Sequence, residues 1–408
     1  MPQTPLQMSD PALPNTPSPS PAFPEPLHVG RPNIADRDKF LARVGEILDR
    51  KWLTNNGPVV QEFERRIAQY LGVKHCIAVC NATIGLELAT RAAGLHGEVI
   101  IPSFTFVATA HALQWQEITP VFADIDPATH CLDAKAVARH LTPRTTGIIA
   151  THLWGRACDI AGLTELAQRH RLILMYDAAH AFGCTWRGQM IGGFGLAEVF
   201  SFHATKFLNS FEGGAITTNN DDLAAKIRLM KNFGFKGYDN VIHVGTNGKM
   251  PEICAAMGLT NLEAIETLLS VNRTNHEAYQ MGLENIPGIK LLEYPRTEQS
   301  NYQYVVVEVN EAEYGRSRDA LVQHLQANNV LARKYFWPGC HRMEPYRSYY
   351  PNAELLLPQT VEVAKRVIVL PTGTGIGRNK IEAISEFIRT ARTDSDHFQS
   401  NTDNLIKI

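Results

Sequence analysis

The sequence lacks the features that mark several other classes of protein. No apolar run is long enough to cross a bilayer, so a membrane protein is not predicted. The formal net charge is only -2 at pH 7, which gives no basis for a general nucleic-acid-binding or membrane-binding surface. No Gly-x-Gly-x-x-Gly motif follows the first predicted strand, so an ordinary dinucleotide enzyme is a weak alternative.

Cysteine is also sparse, with seven residues, an odd number. Cys76 and Cys80 lie in a strand-like segment and have no matching second pair, which argues against a zinc site and a disulfide framework. We therefore predict no metal site, and cysteines that stay reduced in a cytoplasmic protein.

Both ends of the chain differ in composition from the middle. Residues 1–28 are rich in proline and have neither a cationic start nor an apolar core, so they are predicted to be a disordered tail and not a signal peptide. Residues 396–408 are predicted to be a flexible tail. Between the tails we expect a large domain over residues 29–270 and a small C-terminal domain over residues 271–395.

Short apolar runs alternate with helical patterns through the large domain. This alternation is typical of an α/β fold with a mostly parallel sheet, here of seven strands, covered by helices on both faces. The predicted strands are residues 76–80, 98–102, 120–125, 147–152, 172–176, 198–202 and 214–218. The predicted helices are residues 83–93, 107–116, 133–140, 160–170 and 221–232, followed by an apolar pattern over residues 252–269.

A second, smaller α/β unit is predicted from near Gly288. Its elements are strands at residues 302–309 and 364–370 and helices at residues 317–328 and 380–391.

Two residues near successive strand ends carry the main chemical signal. Asp177 follows the apolar strand 172–176, and Lys206 follows the next predicted strand. This pairing suits pyridoxal phosphate, because a lysine amine forms a Schiff base with the cofactor aldehyde and an aspartate keeps the ring nitrogen protonated. Taken alone, Lys206 could be a solvated surface lysine, and Asp177 could bind a metal, although no cluster of further ligands accompanies it.

Other residues fall at the carboxyl ends of the strands, where ligands bind in such sheets. Asn81, Ala82 and Thr83 end the first strand and open a helix, whose amides can hold a phosphate; a simple N-cap is the alternative. Phe106 follows the second strand and could stack on a planar ring or belong to the core.

The segment around the lysine adds two further features. Ser201 leaves the strand shortly before Lys206, so the serine can bind the phosphate while the lysine reaches the aldehyde. Gly213 and Gly214 indicate a close approach of the backbone to another group.

Together these motifs make the chain resemble the sugar aminotransferases of the DegT/DnrJ/EryC1/StrS family, which have the aspartate-aminotransferase-like fold of fold type I. The resemblance runs from about residue 40 to residue 387. The matching motifs are residues 52–58, 102–109, 177–183, 201–206 and 212–214. Two positions depart from the pattern: many relatives have glycine where Ala82 stands and glutamine where His180 stands.

The resemblance implies pyridoxal 5'-phosphate as cofactor, Lys206 as the lysine that binds it and Asp177 as the partner of its ring nitrogen. It also implies that Phe106 stacks on the ring and that His180 lies near the ring hydroxyl. The residues expected around the phosphate are Ala82, Thr83 and Ser201.

The family also has active sites completed by a neighbouring subunit, so the resemblance implies a homodimer. Asn247 matches the asparagine that reaches across. A plain turn is the alternative for that glycine-flanked loop.

The activity implied by the resemblance is amino transfer from L-glutamate to a nucleotide-linked keto-6-deoxy sugar. The closest match is to enzymes that aminate C4 of dTDP-4-keto-6-deoxyglucose. The alternatives are amination at C3, a sugar dehydratase and a non-catalytic regulator that binds the cofactor. Relatives that run dehydration have histidine where this chain has Lys206, which argues against that alternative.

The predicted sugar contacts are Tyr335 and His341, in an aromatic run interrupted by proline and glycine. Substrate sites favour domain junctions with apolar walls and a few polar groups. Core packing of the small domain is the alternative for these residues.

Overall fold

The computed structural model describes residues 21–392, in which the chain forms strands β1–β14 and helices α1–α14. The strands are β1 Leu27–His28, β2 His75–Val79, β3 Glu98–Pro102, β4 Thr119–Ala123, β5 Thr145–Thr151, β6 Ile173–Asp177, β7 Thr185–Trp186, β8 Gln189–Met190, β9 Ala197–Ser201, β10 Gly214–Thr218, β11 Ile289–Leu291, β12 Val305–Val309, β13 Val330–Leu331 and β14 Val367–Leu370. The helices are α1 Arg37–Arg50, α2 Pro58–Leu71, α3 Ala82–Ala93, α4 Ala108–Gln114, α5 Ala134–Ala138, α6 Ile160–His170, α7 Asp221–Met230, α8 Glu252–Glu263, α9 Ile265–Leu283, α10 Glu311–Tyr314, α11 Arg318–Ala327, α12 Tyr346–Tyr349, α13 Pro358–Arg366 and α14 Arg378–Thr390.

The central sheet has seven strands in the order β2-β10-β9-β6-β5-β3-β4. Strand β10 runs antiparallel to both of its neighbours, and the other pairs are parallel. The predicted mostly parallel sheet is therefore confirmed, and each predicted strand lies within two residues of the observed one. Every residue of β3 is buried, as expected for a strand with helices on both faces.

Helix α3 shows how the local sequence prepares the edge of this sheet. Its N-cap is Asn81, whose side chain accepts a hydrogen bond from the amide of Ile84. It ends at Gly94, which takes the left-handed conformation (φ 81°) that favours glycine. The helix begins at Ala82, shortly after β2 ends at Val79, so its first turn lies at the carboxyl end of that strand.

The small unit contains the antiparallel sheet β11-β12-β14. Its core includes apolar residues of α9, α11 and α14. The predicted strand 364–370 was too long, because α13 continues to Arg366 and β14 begins at Val367. The buried Val363 and Ala364 belong to the helix, and the unbroken apolar run into β14 conceals the boundary.

The predicted start of the folded chain was a few residues too late. Strand β1 pairs in parallel with β13, Leu27 is buried, and the ring of Phe23 packs edge-on against Phe387. The predicted tail therefore does not extend to residue 28, because the last part of it finds a partner in the small unit. Residues 1–20 and the predicted tail 396–408 lie outside the described residues.

Helix α9 runs without a break through the predicted domain boundary at residues 270–271. Between residues 21 and 392, no helix is both long enough and apolar enough to cross a membrane.

Candidate active site

A cavity of about 340 Å³ lies where the carboxyl ends of the central strands meet the small unit. Small-unit residues Tyr304, Tyr335 and Phe336 form one wall. Eight of the ten predicted site residues line it: Ala82, Thr83, Phe106, Asp177, His180, Ser201, Lys206 and Tyr335.

Asp177 is held in a fixed orientation at the end of β6. Thr109 donates a hydrogen bond to Oδ2 at 2.7 Å, and the amide of Ala179 donates to Oδ1 at 3.1 Å. Burial raises the pKa of Asp177, while the hydrogen bond from Thr109, the amide of Ala179 and the charge of Lys206 lower it. A carboxylate placed in this way can pair with a cationic ring nitrogen.

The hydroxyl that holds Asp177 belongs to a small cluster that sequence reasoning missed. The hydroxyl of Thr105 lies 3.2 Å from that of Thr109 and 3.3 Å from that of Thr151. Thr109 falls in the matched motif 102–109, which is the signal that could have found it. All three threonines are buried, so the orientation of Asp177 is set before any ligand binds.

Lys206 lies in the loop after β9. The residue is half-buried, and burial of its amine lowers the pKa to about 8, although the nearby carboxylate of Asp177 acts in the opposite direction. Its Nζ donates a hydrogen bond to the hydroxyl of Tyr304 at 3.4 Å. An amine with this pKa is partly neutral near neutral pH, which suits a nucleophile and a proton acceptor.

Tyr304 is a site residue that sequence reasoning missed. It is buried directly before β12, and its ring packs edge-on against the rings of His180 and Trp154. The preceding Gln303 accepts a hydrogen bond from the amide of Phe207 at 2.7 Å, so this segment holds the loop that carries the lysine. No local motif marks Tyr304, and its place in the predicted strand 302–309 indicates only a structural role.

The ring of His180 lies nearly parallel to the rings of Trp154 and Phe336, which also stack on each other. Burial lowers its pKa well below the usual value, so the imidazole is neutral. The amide of Trp154 donates to Nδ1 at 3.4 Å, which leaves the proton on Nε2. A neutral histidine with this tautomer can donate a hydrogen bond to a phenolate oxygen, as the glutamine of many relatives can.

The first turn of α3 forms a candidate phosphate site. Ala82 and Thr83 line the cavity there, at the positive end of the helix dipole. Gly214 passes so close that a Cβ on it would lie 2.8 Å from the amide nitrogen of Ala82. The predicted close backbone approach is therefore confirmed. Gly214 also pairs with Ser201, which brings the serine beside the same turn.

The remaining two predicted residues do not line the cavity of their own chain. Asn247 is exposed and forms an isolated backbone bridge with Asn232. His341 is buried, and its Nδ1 lies 2.7 Å from the hydroxyl of Ser103. Its pKa is lowered by burial to about 4. The geometry therefore connects His341 to the start of the motif 102–109 and gives no support to a direct sugar contact.

The residues around the cavity fit the predicted cofactor. Lys206 can reach an aldehyde, Asp177 can pair with a ring nitrogen, and the first turn of α3 can bind a phosphate. These three groups line one cavity at the junction between the large and small units. Such an arrangement in a mostly parallel seven-stranded sheet defines a pyridoxal-phosphate enzyme of fold type I.

Comparison with known proteins assigns the chain more closely. It belongs to the DegT/DnrJ/EryC1/StrS aminotransferase family, whose model matches residues 35–389. The members are pyridoxal-phosphate-dependent sugar aminotransferases, which confirms the predicted family, cofactor and class of enzyme.

Two curated relatives cover most of the chain. The dTDP-4-amino-4,6-dideoxy-D-glucose transaminase of Shigella dysenteriae is 36% identical over 366 residues, which are 90% of this chain and 99% of the relative. The GDP-perosamine synthase of Caulobacter vibrioides is 35% identical over 350 residues, which are 83% of this chain and 91% of the relative.

A solved structure of DesI in the presence of its TDP-sugar product superposes with a TM-score of 0.88 at 50% sequence identity. The match covers 92% of this chain and 95% of that chain. The predicted fold class is thereby confirmed.

Proposed function

We propose that this protein transfers an amino group from L-glutamate to C4 of a nucleotide-linked 4-keto-6-deoxyhexose, with dTDP-4-keto-6-deoxyglucose as the acceptor. The observation that carries the proposal is the presence of Lys206 and Asp177 in one cavity at the domain junction. The choice of sugar and carbon is supported by the relative from Shigella dysenteriae, and the choice of nucleotide by DesI, whose structure was solved in the presence of its TDP-sugar product.

Bound pyridoxal phosphate supplies an aldehyde that carries the amino group between the two substrates and a ring that accepts electrons. Asp177 would hold the ring nitrogen in its protonated form, because a carboxylate in a buried site favours a cationic partner. His180 would donate a hydrogen bond from Nε2 to the ring hydroxyl. The amides at the start of α3 and the hydroxyl of Ser201 would anchor the phosphate.

Lys206 is the residue that moves protons. Burial lowers the pKa of its amine to about 8, so with the cofactor and an amino donor bound the amine would be the base that takes the proton from the donor's Cα. In the other half-reaction it would return a proton to the sugar carbon that receives the amino group.

The presence of Lys206 and Asp177 also argues against two alternative functions, a non-catalytic regulator and a sugar dehydratase. A non-catalytic regulator has no need of a lysine amine whose pKa is lowered by burial, and a dehydratase of this family has histidine in its place. These two alternatives therefore explain less of the site than amino transfer does.

We further propose that the enzyme is a homodimer with shared sites. Asn247 lies in a loop with exposed apolar side chains, of which Tyr238 is 98% exposed and Val244 is 73% exposed. Exposed apolar residues concentrated in one loop mark an interaction surface. A second copy of the chain would cover this loop and bring Asn247 to the phosphate of its partner's cofactor.

The proposal is tested by separating the two halves of the reaction. Holoenzyme mixed with L-glutamate should release 2-oxoglutarate and convert the cofactor to its amino form, which absorbs at a different wavelength. Addition of dTDP- and GDP-linked keto sugars should then restore the aldehyde form, and product mass and NMR identify the carbon. Return of the aldehyde form only with a 3-keto sugar, or with none of the panel, would overturn the C4 assignment.

A further inference from the structure

The segment before α1 packs against the loop that carries Lys206. At its start, strand β1 pairs with β13 of the small unit. Further along, Gly30 passes so close to Thr205 that a Cβ on it would lie 2.9 Å from the threonine Cβ. Asn33 follows and is buried, with 5% of its surface exposed. Both Gly30 and Asn33 precede the span 35–389 that the family model matches, so membership of the family assigns them no role.

The side chain of Asn33 joins this loop to the small unit. Its Nδ2 donates to the backbone oxygen of Phe207 at 3.0 Å, and its Oδ1 accepts from the hydroxyl of Thr374 at 3.1 Å. Because a carbonyl oxygen can only accept a hydrogen bond, the contact with Phe207 fixes which end of the amide faces the loop. Thr374 follows β14, so the small unit holds the other end.

A second hydrogen bond ties the same loop to the backbone of Asn33. The side chain of Asn209 donates from Nδ2 to the backbone oxygen of Asn33 at 2.7 Å. The backbone oxygen of Asn209 in turn accepts from Nδ2 of Asn261 in α8 at 3.0 Å. The residues one and three positions after Lys206 are therefore each bonded to Asn33.

Phe207 is held from outside the loop at both of its backbone polar groups. Its oxygen accepts from Asn33, and its amide donates to Oε1 of Gln303 at 2.7 Å. Phe207 lies in neither a helix nor a strand, so these side-chain contacts satisfy the backbone in place of a regular ladder. The position of Lys206, one residue earlier, therefore depends on side chains from the segment before α1 and from the small unit.

The groups that restrain the loop are uncharged amides and a hydroxyl. They fix the backbone and add no charge beside the amine of Lys206, which faces the carboxylate of Asp177. A base must lie within hydrogen-bond reach of the proton that it takes, and a displacement of about 1 Å can cost on the order of a hundredfold in rate. A loop without regular structure needs such outside contacts to hold a base with this accuracy.

We propose that Asn33 is a positioning residue, which sets the place of the Lys206 amine by holding the carbonyl of Phe207. The inference rests on the proposed amino transfer and adds to it a residue that lies outside the family-matched span. Asn33 is not among the residues that line the candidate active-site cavity, so it acts through the loop and not on a substrate.

The test compares the Asn33→Ala holoenzyme with a matched control, Asn275→Ala. Asn275 is equally buried, with 5% of its surface exposed. In the described part of the chain, the hydrogen-bond partners of its side chain are Thr372 and Gly373, in the turn after β14. Both variants remove one buried amide, so Tm should fall by a similar few degrees in each.

Two measurements on the holoenzyme report on the loop and on the chemistry separately. Hydrogen exchange followed by mass spectrometry reports how often the peptide 203–210 opens, because the amides of Lys206, Phe207 and Ser210 are hydrogen-bonded in the folded protein. Single-turnover spectra give the rate at saturation and the half-saturating concentration of the substrate in each half-reaction.

In Asn33→Ala, exchange in this peptide should be roughly tenfold faster, and the rate at saturation should fall by about ten- to hundredfold in both half-reactions. Half-saturating concentrations should stay within about twofold, because no substrate contact is lost. Asn275→Ala should match the parent in the exchange of this peptide and in both rates. A second variant, Thr374→Val, keeps Asn33 but removes the hydroxyl that orients its amide, and it should show the same changes at about a few-fold.

A folded Asn33→Ala variant with the parent's exchange or the parent's rate would overturn the proposal. If that variant does not fold, Thr374→Val decides in the same way. Equal losses in Asn275→Ala would overturn the proposal by showing a general effect of stability, and a change confined to half-saturation would do so by placing Asn33 in substrate binding. If no amino acid converts the cofactor of the parent enzyme, amino transfer itself fails, whereas faster exchange in Asn33→Ala can still be observed.

Discussion

The amine of Lys206 and the hydroxyl of Tyr304 lie 3.4 Å apart, although the lysine follows a strand of the central sheet and the tyrosine leads into a strand of the small sheet. The contact joins the two units at the amine that we propose moves protons. Burial raises the pKa of Tyr304, so its phenol stays neutral and can orient the lysine amine throughout the working pH range.

We therefore expect Tyr304→Phe to slow both half-reactions by roughly tenfold, because one hydrogen bond that orients the base is lost. Binding of the cofactor, measured by its absorbance after gel filtration, should not change. Loss in only one half-reaction would show that Tyr304 contacts a substrate and does not act through Lys206.

The rate of the donor half-reaction should depend on the protonation of the freed Lys206. Its pKa is lowered to about 8, and only the neutral amine accepts a proton, so the rate should rise with pH up to about 8 and level off above it. The charged or titratable groups that face the amine are Asp177, Tyr335, the neutral phenol of Tyr304 and the neutral His180. Stopped-flow spectra between pH 6 and 10 would show this rise of the rate with pH. A rate that does not change with pH would contradict the role of Lys206 as the base.

Asp177→Asn should reduce single-turnover rates by roughly two to three orders of magnitude, because the ring loses the anion that keeps its nitrogen protonated. The same change removes a charge that raises the pKa of Lys206, so the rising limb should move to lower pH. Thr109→Val is the matched control. It removes the hydrogen bond at Oδ2 but keeps the carboxylate, and we expect a smaller loss of rate.

Gly214→Ala should weaken cofactor binding. The new Cβ would lie 2.8 Å from the amide nitrogen of Ala82 and 2.8 Å from the oxygen of Phe200, so the first turn of α3 must shift. A Kd for pyridoxal phosphate measured by fluorescence quenching should rise by about tenfold or more.

Gly45→Ala provides the comparison, because a Cβ at that helical position meets nothing within 4 Å. It should leave the Kd unchanged and raise Tm slightly, since alanine favours helix over glycine. Equal cofactor affinity in both variants would show that the close approach of Gly214 does not shape the phosphate site.

Sharing of sites between subunits is tested by mixing two inactive chains. In a heterodimer of Lys206→Ala and Asn247→Ala chains, one site combines the intact Lys206 of one chain with the intact Asn247 of the other. Activity should recover toward one quarter of the parent level after random exchange of subunits in equal amounts. Mass spectrometry verifies that subunits have exchanged. If both parent variants are impaired and the exchanged mixture regains no activity, Asn247 does not act in the partner's site.

The sequence by itself determined the central sheet and singled out the two residues that we propose carry the chemistry. Period and length of the apolar runs place the seven strands within two residues, because a strand buried on both faces is mainly a continuous apolar run. Asp177 and Lys206 could be found because the first ends one such strand and the second lies in the loop that follows another. A strand end in a parallel sheet is a place where ligands bind whatever the rest of the fold does.

Only the tertiary structure decided which distant residues join them. Tyr304 is separated from Lys206 by 98 positions, and it reaches the amine through docking of the small sheet, for which no local pattern exists. The same docking places Tyr335 in the wall of the cavity and leaves His341 outside its lining. It also orders β1, because Leu27–His28 form a strand only where Val330–Leu331 provide a partner. Local periodicity specifies which face of an element is buried, but the partner of that face is fixed by packing over the whole chain.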